Sequence, residues 1–169
     1  KETSTGGDLG LHFHTDEIEI SVSVFRTEYD DFTYLLEDGN VIDDLPVALW
    51  TQTNATFKGW EVQGSWDFLE NNSGLWTLNF LADQVKATQA NGDYLPRIAP
   101  ARIGTDLAWQ LGNWTAGFGV LHVYDQNDVA TDESTTEGYN WFNANVAYNW
   151  NVGETDLQVF LDGTNLGNE

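Results

Sequence analysis

The chain has 169 residues, six of them basic and 27 acidic, and its formal net charge of −21 sets it against nucleic acid and other polyanions as partners. It holds no cysteine, which excludes disulfides, thiolate metal sites and a cysteine nucleophile. No run approaches the ~18 apolar residues that a transmembrane helix needs, whereas a membrane-spanning strand escapes such a count because its two faces cancel.

In chain order the apolar residues recur with period two. Leu9, Leu11 and Phe13 alternate with Gly10, His12 and His14; Ile18, Ile20, Val22 and Val24 alternate with Glu19, Ser21 and Ser23. Trp60, Val62, Trp66 and Phe68 stand against Glu61, Gln63, Ser65 and Asp67. Trp76, Leu78, Phe80 and Ala82 stand against Thr77, Asn79 and Asp83, and Ile103, Leu107 and Trp109 against Arg102, Asp106 and Gln110. Trp114, Ala116, Phe118 and Val120 oppose Thr115, Gly117 and Gly119. Phe142, Ala144, Val146, Tyr148 and Trp150 oppose Asn143, Asn145 and Asn149, and Leu157, Val159 and Leu161 oppose Asp156, Gln158 and Asp162. The pattern predicts an all-β, antiparallel up-and-down meander of about eight strands, each near the ~9–11 residues of a tilted transmembrane strand. FLADQVKATQA is the one helical candidate, and its continuity with the Trp76 alternation favours strand.

The connections alternate as well. Short turns fall at residues 15–17, 71–74, 111–113 and 152–155, and long connections at 36–46, 88–101 and 125–138. That rhythm predicts a membrane barrel with tight turns at one end and long loops at the other. Trp109, Trp114, Tyr148 and Trp150 flank short turns, as an aromatic girdle does. Glu61, Asp67, Asp106 and Asp162 in the polar rows are too costly to face hydrocarbon, so those rows line a lumen and the apolar rows face lipid. A soluble barrel would invert this assignment.

Several stretches resemble one family. LPRIAPARIG (residues 95–104), QNDVATDESTTEGY (126–139) and NLGNE (165–169) resemble the C-terminal barrel of TonB-dependent outer-membrane receptors, and FRTEYDDF (25–32) followed by NATFKGWE (54–61) is similar to that family's middle-to-late strands. The matches fall in order along nearly the whole chain. The resemblance implies part of a plugged barrel of about 22 strands in the bacterial outer membrane, taking up a scarce ligand such as a metal–siderophore, haem or a metal ion. It implies outer-membrane lipid, a small-molecule or metal ligand and an inner-membrane TonB-type energy-coupling protein as partners, the last reached through a plug domain outside this chain. Pro96-Arg97-x-x-Pro100 and Glu133-x-x-Thr136-x-Gly138-Tyr139 are similar to receptors that include zinc and haem importers. The plug, the coupling box and the family's last strand are not among these residues, and the stretch opening at Lys1 does not read as a basic, apolar leader. The expectation is therefore one partial barrel domain over residues 1–169, excised or processed, with both ends on the long-connection side. Alternation alone leaves open a self-contained eight-stranded anchor or adhesin, and a soluble β-barrel or sandwich binding carbohydrate or lipid through its tryptophans.

No enzyme is predicted: there is no phosphate-cradling glycine loop, nucleophile elbow or His-Glu-x-x-His helix. Acid pairs such as Asp30-Asp31 and Asp43-Asp44 point to opposite faces of a strand and make poor dyads. His12 and His14 share one face about 7 Å apart, and with a third ligand, for which His122 is the candidate, they suit zinc or a haem iron. The acidic connections at 36–46 and 125–138 suit calcium or cationic ligands. A ligand-binding set near the outer mouth comprises His122, Asp125, Arg97, Arg102 and Trp141, with Arg102 projecting into the lumen to meet a strand carboxylate or an anionic ligand.

Overall fold

The computed structural model describes residues 1–153 and 155–168. Alternation becomes one sheet of eight strands hydrogen-bonded in sequence order. They are β1 (Thr3–His14), β2 (Ile18–Ile42), β3 (Leu45–Asn71), β4 (Gly74–Gln89), β5 (Arg102–Leu111), β6 (Trp114–Val123), β7 (Tyr139–Val152) and β8 (Thr155–Gly163). Every neighbouring pair is antiparallel, and β1 and β8 are the two edges. Since β8 pairs with β7 alone among the described residues, these eight strands do not close on themselves.

Register keeps the two faces chemically distinct from strand to strand. Leu11, Val22, Val62, Ala82 and Ile103 are successive cross-strand partners, and so are Trp66, Leu78, Leu107, Phe118 and Ala144. Because the side-chain period is two, one such alignment commits every other residue to the opposite face. The apolar face stays uncovered: Leu11 is 71% and Leu161 72% exposed. Among the described residues no second layer packs on it, as expected of a surface whose solvent is lipid. Aromatic neighbours pair on that face near the short turns, Trp76 with Trp109 at 6.1 Å and Trp114 with Tyr148 at 4.7 Å between ring centroids, and the Trp109 Nε1–H donates to the Ser73 carbonyl at 2.7 Å. Of the expected girdle residues, Trp109, Trp114 and Tyr148 thus each stand beside an aromatic neighbour at the turn end.

One expectation changes. Residues 36–46 are not a loop but the end of the β2–β3 hairpin, closed by Asp43 and Asp44 at φ 52° and 62°. Two consecutive positive φ values match the primed turns that follow strand twist. The alternation was hidden because a bulge between Tyr29 and Phe32, with Asp31 at φ 57°, resets its phase. The FLADQVKATQA stretch is strand, as its alternation favoured, carrying β4 on to Gln89 with Ala90 beginning the turn. Above β5, residues 90–101 fold back onto the polar face, where Leu95, 1% exposed, packs with Ala55 and Ala87 against Tyr29, Phe32 and Phe57. This small core fixes the long-connection end over the polar face.

Candidate ligand-binding wall

The polar face collects the side chains that alternation turns away from lipid. One cross-strand row runs through His14, Glu19, Ser65, Asn79, Asp106, Gly119 and Asn143, crossing β1 to β7. A shallow recess of about 310 Å³ opens on it between Glu19, Gln63, Asn79 and Asp106. At Gly119 a Cβ would collide with the side-chain oxygens of Asp106 and Asn143. Glycine there leaves the space in which these two side chains from β5 and β7 lie across β6.

His12 and His14 do share this face, with ring centroids 6.5 Å apart and planes 10° from parallel. The His12 Nε2 lies 3.8 Å from a Glu19 oxygen, both side chains being well exposed. His122 does not join them. It has the parity of Phe118 and Val120, so it stands on the apolar face five strands away, its Nδ1 2.9 Å from the Asn140 side-chain oxygen and its ring edge-on to Tyr124 at 4.5 Å. No group of three or more His, Asp or Glu is placed to hold a metal among the described residues.

Toward the long-connection end the wall deepens into a cleft of about 540 Å³ between Asp83, Arg102, Leu121, Val123 and Tyr139, with residues 99–100 and 136–137 at its rim. The Arg102 Nε–H donates to an Asp83 oxygen at 2.7 Å, the strand carboxylate expected for it. With its side chain 51% exposed, the guanidinium retains donors for an anionic group. Trp141 faces the same way, one row below Tyr139, as the register partner of Leu121. Of the five expected ligand residues, Arg102 lines this cleft and Trp141 stands on the same face one row below it. Tyr139 was overlooked although it has Trp141's parity, and the pairing of Asp83 with Arg102 needed a cross-strand register that no local pattern discloses.

Arg97 and Asp125 brace the loops. The Arg97 N–H donates to Glu133 at 3.0 Å, and Asp125 accepts the Gly138 N–H at 2.7 Å, tying together the two ends of the β6–β7 connection. Two more of its acids behave alike: Asp132 accepts the Glu37 N–H at 3.3 Å, and Asp128 meets the Lys86 Nζ at 2.6 Å. Four of the acids read as a calcium signal, Asp125, Asp128, Asp132 and Glu133, are thus engaged with backbone amides and one ammonium. Lys86 and then the Tyr94 hydroxyl hold the Asp128 carboxyl below the usual carboxylate range, and that carboxylate in turn pushes the Tyr94 hydroxyl up.

A sheet with one uncovered apolar face and one polar, loop-capped face is a section of a transmembrane β-barrel wall. The family model described as TonB dependent receptor-like, beta-barrel matches residues 1–166, and the chain belongs to that family. Its fold is similar to a solved structure titled copper transporter OprC, with a TM-score of 0.85 and 22% sequence identity over 99% of this chain. The chain spans about a quarter of that structure's length, 26%. No curated protein matches the sequence. The family is one of outer-membrane receptors and transporters rather than enzymes, in keeping with the resemblance read from the sequence.

Proposed function

We propose that residues 1–169 form one continuous section of a larger outer-membrane receptor that takes up a scarce ligand, a metal–siderophore, haem or metal ion. The observation that carries this reading is the division of the faces: carboxylates, amides and histidines line one, while the other is apolar and bare. The Arg102–Asp83–Tyr139–Trp141 region is the candidate contact for an anionic or aromatic ligand, and His12 and His14 line the wall below it. A metal reaching that pair would need further ligands from outside this chain, or from the cargo itself. The fold of a copper transporter agrees with metal-linked cargo and does not single out copper. Energy would come from an inner-membrane TonB-type protein acting on a plug domain, with no contact to these strands required. The open edges of β1 and β8 favour this over a self-contained eight-stranded anchor.

Deleting the full-length gene and measuring uptake of iron, copper and zinc, free and chelated, under starvation tests the reading. Uptake of one form should be lost and restored by the wild-type gene. Arg102→Gln with Trp141→Ala should assemble yet restore about a tenth of it. Unchanged uptake of every form after deletion would refute the proposal.

A further inference from the structure

Basic residues are scarce, six in 169, yet three of them stand opposite one another. Arg26 of β2 partners Lys58 of β3, which partners Lys86 of β4. Neighbouring strands lie about 4.8 Å apart, so the row puts three cations within roughly 10 Å. Like charges directly opposite destabilise a sheet unless an anion answers them. Glu28 answers Arg26 at 2.8 Å and Asp128 answers Lys86 at 2.6 Å. The central Lys58 is exposed and makes no ion pair among the described residues.

The face on which the row stands matters more than its charge. Its parity is that of the neighbouring row Val24, Trp60 and Gln84, and of the Val22–Val62–Ala82 row beyond. All the Lys and Arg on the apolar face of the described strands are in this row. From Val24–Trp60–Gln84 down to the short turns the aligned apolar rows contain no Asp, Glu, Lys or Arg. A groove of about 220 Å³ runs along the junction, lined by Val24, Lys58, Trp60, Gln84 and Lys86. Val24 and Trp60 are 47% and 39% exposed beside it. Cations meeting a bare apolar surface, at the long-connection end, form an amphipathic site at one level of the barrel wall.

We propose that Arg26, Lys58 and Lys86 hold the phosphate of a phosphorylated lipid of the outer leaflet, whose first acyl segments lie on Val24 and Trp60. The inference rests on the outer-membrane reading above. Charge complementarity selects the headgroup, since the rest of the molecule is acidic and repels phosphate, and the apolar row selects a lipid over a free anion. Basic residues at a membrane surface attract anionic headgroups in this way.

The test uses the full-length receptor in detergent and in vesicles. Probes are the phosphorylated glycolipid extracted from the same outer membrane, its dephosphorylated form, zwitterionic phosphatidylcholine and inorganic phosphate. Wild type should retain the phosphorylated glycolipid through purification, and Lys58→Gln should weaken binding about fivefold, with Arg26→Gln/Lys58→Gln/Lys86→Gln weakening it further. Lys58→Gln alone answers the question if the triple variant fails to assemble, because Lys58 braces nothing. Equal binding by wild type and Lys58→Gln, or by phosphorylated and dephosphorylated lipid, overturns the proposal. So does full displacement by millimolar inorganic phosphate, which would mark a free-anion site. Extraction of wild type into aqueous buffer without detergent would instead refute the outer-membrane reading itself.

Discussion

Val146 and Asn145 are adjacent in β7 and belong to different solvents. Val146 aligns with Ala116 and Leu161 on the apolar face, whereas Asn145 aligns with Gly117 and Asp162 on the polar one. Val146→Asp should cost roughly 3 kcal/mol of membrane stability and abolish the heat-modifiable folded band on electrophoresis. Asn145→Asp should assemble like wild type, because water and neighbouring amides solvate it. Equal folded fractions would contradict the face assignment. Gly119 tests crowding instead of polarity. Gly119→Val drives a Cβ into Asp106 and Asn143, an overpacking worth about 1–3 kcal/mol, read as a lower denaturant midpoint. Asparagine's place in FNANVAYNW is legible from sequence because one residue of register decides between lipid and lumen.

Strands were legible wherever alternation ran unbroken, as in β1, β5, β6 and β7. It failed in upper β2, where the Asp31 bulge resets the phase and an acidic, glycine-containing run imitates a loop. His122 was misplaced for a related reason: a histidine at a strand end suggests a ligand, while its parity with Phe118 and Val120 puts it on the other face. Loop bracing was illegible, since Lys86 and Asp128 are brought together by chain folding across 42 positions. That brace is pH-dependent with a definite sign. The Asp128 carboxyl is held below its ordinary value by Lys86 and Tyr94. Its contribution is therefore complete above the unfolded carboxylate pKa and is lost as pH falls through the lower folded one. Both side chains are at least a third exposed, so the pair is worth under about 1 kcal/mol. Limited proteolysis of the β6–β7 connection should accelerate in acid for wild type, and Asp128→Asn should show the faster rate already at neutral pH. A pH-independent wild-type rate would argue against the brace.

The molecule's charge and its faces are consistent once the sheet is seen whole. Acids crowd the connections and the polar face, leaving an apolar belt that is bordered at the Arg26–Lys58–Lys86 level. Length, charge and period two predicted the meander and its two faces, and the family resemblance was readable in loop wording. The upper cleft was only half readable, because Asp83, Arg102 and Tyr139 reach it from three strands whose registers are set by the whole sheet. Single-cysteine labelling of the full-length protein in vesicles tests that division most directly, using Asn145→Cys, Val146→Cys, Asp106→Cys and Leu107→Cys. Positions 145 and 106 should react with a water-soluble maleimide, while 146 and 107 stay protected and report a lipid-borne quencher; water-phase reaction at 146 and 107 with protection at 145 and 106 would contradict it.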